Sequence, residues 1–190
     1  EQARGEFVAY LDSDNTWHEE FLETMLAATR GDDAALWYCG AEITFWERDD
    51  DRRWHLVERR REPRAQYSLP EVWRLKAPDT NCIFHRREVA DEIGGWDEEC
   101  RWLEDWDFFL RAYLRYTERI RWVPEILVDY RQVHGAGADG ICSQAREDGD
   151  AEAAARRYLL DKWGEHPDFE AHAELDVESG ELAKIRADRD

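Results

Sequence analysis

The chain has 190 residues, with 26 Lys+Arg against 45 Asp+Glu, so its formal net charge at pH 7 is −19. A chain of this length forms one domain, or one domain with an appendage, and can bury a sizeable core. The negative charge argues against binding to nucleic acid or to anionic lipid, because no basic surplus neutralises phosphates. Ten Trp residues argue against wholesale disorder.

The basic residues and the cysteines indicate the cellular setting. Only three of the 26 basic residues are lysines, which suits either a salt-rich cytoplasm or a GC-rich genome. The four cysteines form no CxxC pair, so we expect reduced thiols rather than a zinc ribbon. No apolar run reaches 18 residues, and we expect a cytoplasmic protein without a membrane span.

The first 46 residues predict strand, acidic turn, helix and strand. Residues 7–11 are a continuous apolar run typical of a buried strand, and residues 12–15 are a turn cluster. Thr16 and Glu19 have the spacing of a capping box, and apolar residues then repeat at helical spacing. A second apolar strand lies within residues 35–46. This order is the βαβ unit of an α/β fold.

The rest of the chain continues the alternation of helices and strands. Residues 47–68 are charge-dense and predict an exposed excursion, at most a hairpin arm. We expect helices at 70–75, 86–93, 104–115 and 151–163, and strands at 81–85, 119–123 and 126–133, the last two split by Pro124. The glycines from Gly135 to Gly140 predict a loop, and the acidic tail beyond Pro167 a peripheral helix or partial disorder.

Two carboxylates follow the first strand. Asp12 and Asp14 are two residues apart, so in extended backbone they point to the same side, at the strand end where ligands gather in open α/β sheets. Such a pair can hold a hard divalent cation. The alternative is structural, because Asp is a common turn former and is favoured before a helix N-terminus.

A second acidic group opens the helix at residues 104–115. One of Glu104, Asp105 and Asp107 can act as a general base if an apolar wall raises its pKa. Trp96, Trp102 and Trp106 can supply that wall or stack on a sugar, although they are equally plausible core residues. First-turn carboxylates that simply complement the helix dipole are the alternative.

Four segments in series resemble the family-2 inverting glycosyltransferases. Residues 3–14, with Trp17, are similar to the family's strand and its DXD motif, and residues 81–87 with 93–98 to its strand, helix and "G-G-F-D-E" turn. Residues 104–111 are similar to the "E-D-W-D" helix, and residues 130–134 to the "Y-R-x-H" element with one extra residue. The resemblance covers about residues 3–137.

The resemblance implies a partial GT-A fold, a mixed α/β sheet flanked by helices, and a metal-dependent transfer from a nucleotide-sugar donor. It implies that Asp12 and Asp14 hold Mn²⁺ or Mg²⁺, with His134 as a further ligand, and that Asp12 also faces the nucleotide. Asp105, with Glu104 as the runner-up, is implied as the base that deprotonates an acceptor hydroxyl. The remaining implied donor or acceptor contacts are Asn81, Trp96, Trp106 and Arg131.

The resemblance also implies an incomplete domain. Residues 1–140 correspond to the C-terminal two-thirds of the family's domain, and residues 141–190 to a helical, acidic extension. The family's first strands, with the base-recognition Asp, have no counterpart here, so we expect a fragment of impaired activity that needs a missing N-terminal portion or a partner chain. The strand at residues 7–11 is then expected at an exposed sheet edge.

Two other functions stay open. In a non-catalytic module, the acidic motifs are helix caps and the Trp-rich surface binds a carbohydrate or a protein. A phosphohydrolase is disfavoured because the sequence has no second dense Asp/His cluster. Under the leading hypothesis the acceptor is a carbohydrate or is lipid-linked, the setting is surface polysaccharide or glycan assembly, and the enzyme is cytoplasmic or peripheral at the inner face of a membrane.

Overall fold

The computed structural model describes residues 3–61, 65–74, 77–100, 102–134 and 149–168. The strands in these ranges are β1 (Phe7–Ala9), β2 (Thr16–Trp17), β3 (Leu36–Arg48), β4 (Trp54–Arg61), β5 (Ile83–Arg86) and β6 (Ile120–His134). The α-helices are α1 (Phe21–Ala28), α2 (Leu69–Trp73), α3 (Arg87–Ile93), α4 (Glu104–Tyr116) and α5 (Gly149–Trp163). No helix in the described part of the chain is both long and apolar enough to cross a membrane.

One mixed sheet organises the chain, with the strand order β1-β5-β3-β6-β2 and with β4 paired to the outer half of β3. Strand β5 is antiparallel to both β1 and β3, whereas β3 and β6 are parallel. The strands β1, β3 and β6 therefore run in one direction. The pairing register puts the end of β1, Ala9, level with Trp37 of β3 and Arg121 of β6, so β3 and β6 continue well beyond the end of β1. Within the described residues, β1 is an outermost strand, as the sequence predicts.

The core has two parts, one on each face of the sheet, because successive residues of β3 point to opposite faces. Leu36 and Tyr38 pack with helices α2 to α5. Trp37 and Cys39 pack with Phe21 and other residues of α1. Both parts contain fully buried aromatic side chains, so the sheet is covered on both sides, as in α/β domains.

Most of the predicted elements are confirmed, including the hairpin arm, but the capping box at Thr16 is wrong. Thr16 and Trp17 form β2, which pairs with Val128 and Asp129 of β6. Helix α1 begins only at Phe21, and its N-cap, Glu20, makes no side-chain cap hydrogen bond. Pairing with β6 takes the segment away from the helix, an example of tertiary contacts overriding local propensity.

Two predicted strands differ from the observed ones. The predicted break at Pro124 is absent, because β6 is one strand from Ile120 to His134 and the proline lies in an irregularity of its pairing with β3. Asn81 lies in a 3₁₀ turn at Thr80–Cys82 and not in the strand that follows.

The C-terminal prediction is tested only in part. Helix α5 packs on the core through Leu159. The Gly-rich loop, the proposed domain boundary near residue 140 and the acidic tail from residue 169 lie outside the described residues.

Candidate active site

The turn after β1 presents the two predicted metal-binding carboxylates. Asp12 and Asp14 are both exposed, just beyond the C-terminal end of β1. The Asn15 backbone N–H donates to the Asp12 carbonyl oxygen at 3.2 Å. The Arg131 backbone N–H donates to Asn15 Oδ1 at 2.9 Å. The turn is thus closed on itself and attached to β6.

Asn81 holds Asp12 from the 3₁₀ turn that precedes β5. The pairing of β1 with β5 places Ala9 opposite Phe84, and continuing this register brings Asp12 opposite Asn81. The Asp12 backbone N–H donates to Asn81 Oδ1 at 2.7 Å, and Asn81 Nδ2 donates to Asp12 Oδ2 at 2.8 Å. Asn81 is fully buried. Its observed role is therefore to fix the first aspartate of the motif.

Asp79 extends this arrangement and was missed in the sequence. Its Oδ1 accepts from Asn81 Nδ2 at 2.7 Å and from the Asn81 backbone N–H at 2.9 Å. The sequence signal that could have found Asp79 is an Asp two residues before an Asn at the start of a strand. Asp caps such turns because its carboxylate accepts a hydrogen bond from a backbone N–H. The Trp17 indole N–H donates to the Asn81 carbonyl oxygen at 3.0 Å, which ties the turn to β2.

Asp105 lies in the first turn of α4 with an unusual protonation equilibrium. Its pKa is raised to about 7, mainly by burial and in smaller part by the nearby carboxylates of Glu104 and Asp79. The Trp106 backbone N–H donates to Asp105 Oδ1 at 2.7 Å, which opposes the shift. Glu104 is exposed. A carboxyl with a pKa near neutrality suits a general base, so the electrostatics favour Asp105 over Glu104.

The effect of Asp79 on Asp105 connects the two halves of the site. Asp12 is hydrogen-bonded to Asn81, Asn81 is hydrogen-bonded to Asp79, and the charge of Asp79 acts on Asp105. The two acidic motifs, more than 90 residues apart in the sequence, therefore belong to one neighbourhood. Their proximity is what the sequence resemblance implies.

The tryptophans divide into one half-buried and one core residue. Trp96 is half-buried, stacks on Phe108 with ring centroids 4.4 Å apart, and meets Tyr10 edge-on at 5.2 Å. Trp106 is only 2% exposed, packs in the core and donates its indole N–H to the Val72 carbonyl oxygen. The expectation that Trp106 lines an acceptor pocket is therefore corrected, because its helical position turns it towards α2.

Tyr10, which follows β1, and His85 of β5 form a hydrogen-bonded pair that was also missed in the sequence. His85 is fully buried, and burial lowers its pKa. Its Nδ1 lies 2.7 Å from the Arg86 carbonyl oxygen and its Nε2 lies 2.8 Å from the Tyr10 hydroxyl. A neutral ring that donates from Nδ1 and accepts at Nε2 satisfies both contacts.

The two C-terminal site residues predicted from the sequence, Arg131 and His134, both lie in β6. The Arg131 guanidinium lies 5.7 Å from the centre of the Trp46 ring, while its backbone holds Asn15. The backbone of His134 ends β6 opposite Glu47. The His134 side chain lies outside the described residues, so its role as a metal ligand stays a prediction.

The donor set at the turn fits a divalent cation in part. Carboxylate oxygens are the ligands that Mg²⁺ and Mn²⁺ prefer, and Mg²⁺ commonly takes one or two carboxylates together with substrate phosphates and water. Asp12 and Asp14 match that pattern. Among the described side chains, no group of three or more His, Cys, Asp or Glu residues forms a complete protein cage for a metal.

Known proteins are similar to this chain in sequence and in fold. Residues 1–94 match the family model described as glycosyl transferase family 2. A curated relative, the uncharacterized glycosyltransferase YwdF of Bacillus subtilis (strain 168), is 28% identical over 164 residues, which are 86% of this chain and 56% of YwdF.

The solved structures of S. aureus TarS 1-349 have a similar fold. One superposes with a TM-score of 0.52 at 17% identity, over 84% of this chain and 42% of TarS. The complex of TarS 1-349 with UDP-GlcNAc gives a TM-score of 0.54 at 18% identity, over 84% and 44%. The present chain thus spans about half the length of these proteins. The family match over residues 1–94, together with the order of the acidic motifs, makes the first half of this chain similar to glycosyl transferase family 2, and its mixed α/β sheet resembles the GT-A fold.

Proposed function

We propose that the protein carrying this chain transfers a sugar from a nucleotide-sugar donor to an acceptor hydroxyl, with inversion at the anomeric carbon and with a divalent cation. The observation that supports this most strongly is the path from Asp12 through Asn81 and Asp79 to Asp105. The path links one candidate metal ligand, Asp12, to the candidate base, Asp105. The match of residues 1–94 to the model of glycosyl transferase family 2 supports the reaction class.

Asp12 and Asp14 are the residues that would hold Mn²⁺ or Mg²⁺ against the donor diphosphate. When bound, the cation supplies Lewis acidity and neutralises charge on the departing nucleoside diphosphate. A chain with a net charge of −19 otherwise repels that group. The complex of TarS with UDP-GlcNAc supports a UDP-sugar as the donor class.

Asp105 is proposed to take the proton from the acceptor hydroxyl as its oxygen attacks the anomeric carbon. The sugar–phosphate bond breaks on the opposite face, and this single displacement inverts the centre. Burial favours the protonated form of Asp105, so the carboxyl can hold the proton that it receives. Trp96, half-buried beside Tyr10, is the proposed aromatic contact for the acceptor.

The acceptor is proposed to be a carbohydrate or a lipid-linked sugar, in surface polysaccharide or glycan assembly. The proposed setting is the cytoplasm, with peripheral contact at the inner face of a membrane. Both suggestions follow from the reaction class of the family, and the acceptor depends on parts of the site that vary between members.

The test is a calorimetric titration of the complete gene product with Mn²⁺ and UDP-GlcNAc. Asp14→Ala should weaken Mn²⁺-dependent binding of UDP-GlcNAc at least tenfold, because it removes one of the two carboxylate ligands. Asp50→Ala, which removes an exposed carboxylate from the β3–β4 turn, is the matched control and should have no effect. Equal Mn²⁺ binding by the two variants would favour the non-catalytic module instead.

A further inference from the structure

The first turn of α4, which carries Asp105, lacks the usual support of a helix N-terminus. The residue at its N-cap position, Leu103, makes no side-chain cap hydrogen bond and has a left-handed backbone with φ of 63° and ψ of 25°. A non-glycine residue in this conformation costs about 1–2 kcal/mol and persists only where its surroundings enforce it. Other contacts must therefore hold this turn.

Asp107 provides such a contact through a carboxylate that is fully buried. The Asp107 backbone N–H donates to the Leu103 carbonyl oxygen at 3.0 Å. Its Oδ2 accepts from Arg111 Nε at 2.8 Å. Arg111 Nη1 donates in turn to the carbonyl oxygens of Ile93 and Gly95, each at 2.7 Å. Asp107 therefore joins the first turn of α4 to the turn that follows α3. We call this turn, residues 94–97, the glycine turn.

The other oxygen of Asp107 is held by the end of α5. Lys162 Nζ lies 2.8 Å from Asp107 Oδ1, and the Trp163 indole N–H donates to the same oxygen at 3.0 Å. The Lys162 side chain is only 26% exposed. A buried carboxylate needs such partners, because removing one leaves an uncompensated charge away from water.

Lys162 also contacts the glycine turn directly. Its Nζ lies 2.5 Å from Asp97 Oδ2, and the Tyr158 hydroxyl donates to the same oxygen at 2.7 Å. The hydrogen bond from Lys162 is the main cause that lowers the pKa of Asp97 below its usual range. One ammonium group thus bridges Asp97 in the glycine turn and Asp107 in α4, so α5 fastens both segments together.

We propose that Lys162 and Trp163 are positioning residues that act through Asp107 to hold the first turn of α4, and with it Asp105, in its working orientation. This inference rests on the proposed role of Asp105 as the base. The Trp106 indole N–H, which donates to the Val72 carbonyl oxygen, holds the same turn from the other side. Loss of the α5 contacts should therefore loosen the turn without unfolding the helix.

The test compares Lys162→Met, which keeps the aliphatic stem, with Lys162→Arg and with Arg115→Met in the complete gene product. Arg115 pairs with Glu92 at 3.0 Å in the last turn of α4, so it is a matched control remote from Asp105. Lys162→Met should lower kcat for sugar transfer from UDP-GlcNAc about 10- to 100-fold, the range for a small misplacement of a catalytic group. The KM for the donor should change less than twofold, and Lys162→Arg should recover most of kcat.

A second pair of variants covers the case in which Lys162→Met fails to fold. Trp163→Phe removes the N–H donor to Asp107 and part of the ring that packs on Trp73, whereas Tyr158→Phe removes only the hydroxyl that donates to Asp97. Trp163→Phe should lower kcat more than Tyr158→Phe. Equal kcat values for the two variants, or a folded Lys162→Met with kcat within twofold of the parent, would overturn the proposal.

A titration of Asp105 separates this inference from the proposed function. The charged groups that act on Asp105 are Glu104 of α4 and Asp79 of the 3₁₀ turn. If the turn loosens and admits water, the pKa of Asp105 should fall from about 7 by at least one unit in Lys162→Met, as measured by carbon-13 NMR of its carboxyl group. An unchanged pKa in Lys162→Met overturns the positioning role, whereas the expected fall without transfer activity contradicts only the proposed function.

Discussion

Replacing Asn81 with Ala is the perturbation that addresses the architecture of the site most clearly. The substitution removes three hydrogen bonds of the side-chain amide: one accepted from the Asp12 backbone N–H, one donated to Asp12 Oδ2 and one donated to Asp79 Oδ1. It leaves two carboxylates close together without the amide between them. The turn that presents the metal-binding motif should therefore lose its attachment to β5.

The magnitude follows from the type of each hydrogen bond. The neutral hydrogen bond contributes about 1 kcal/mol and each of the two to a carboxylate about 1.5–3 kcal/mol, so the loss is about 4–7 kcal/mol at most. Relief of the burial cost of the amide offsets part of this loss, and we expect the free energy of unfolding to fall by about 3 kcal/mol. For a chain of this size that fall lowers Tm by roughly 6–12 °C.

The assay is urea unfolding of the parent, Asn81→Ala and the matched control Asn15→Ala. Asn15 lies in the same turn but makes one side-chain hydrogen bond, which it accepts from the Arg131 backbone N–H. Asn15→Ala should lower the free energy of unfolding by about 1 kcal/mol. If both variants lose the same free energy, the assignment of Asn81 as the main support of Asp12 is refuted.

Two further predictions concern Asp105 and the centre of the sheet. Because the folded pKa of Asp105 is about 7, above its value in the unfolded chain, the folded state binds more protons, and stability falls as pH rises from about 4 to 7. Asp105→Asn should therefore raise Tm more at pH 8 than at pH 5, and Asp50→Asn should show no such trend. Gly40→Ala should lower the free energy of unfolding by about 1–3 kcal/mol in urea titrations, since an added Cβ lies 3.3 Å from the Glu125 carbonyl oxygen and from two side chains. An unchanged urea midpoint for Gly40→Ala would contradict this prediction, because it would mean that β6 shifts to make room for the added Cβ.

Local sequence signals predicted those parts of the fold that depend on neighbouring residues. The helix from Glu104 is recognisable because its apolar residues repeat every three or four positions and pack on one face. The end of α3 at Gly94 is recognisable because its left-handed backbone, with φ of 85°, favours glycine.

The misplaced elements depend on long-range pairing. Thr16 and Trp17 pair with β6, more than 100 residues away in the sequence, and no local sequence pattern predicts that pairing. Pro124 is accommodated within β6 because the pairing with β3 is irregular there and Gly40 allows close approach. A proline alone suggests a break in the strand, and only the partner strand shows otherwise.

In the candidate site, too, residues with a local sequence signal were predicted and those that act through long-range contacts were not. Asp12, Asp14 and Asp105 are predicted as functional carboxylates, and the structure brings Asp12 and Asp105 into one neighbourhood through Asn81 and Asp79. The supporting roles of Asn81 and Asp79 were not predicted, because they exist only in the folded chain. Asp107 looks like another first-turn carboxylate in the sequence, yet it is the buried partner of residues in α4 and α5.

The central claim, that Asp105 is the base of a sugar transfer from a nucleotide-sugar, is tested most directly by Asp105→Asn in the complete gene product. The measurement is kcat for transfer from UDP-GlcNAc with Mn²⁺, with the Kd for the donor determined in parallel. We expect kcat to fall about 10²- to 10⁴-fold while Kd is unchanged, because only proton removal is lost. A kcat within threefold of the parent, in a variant that binds the donor normally, would contradict it.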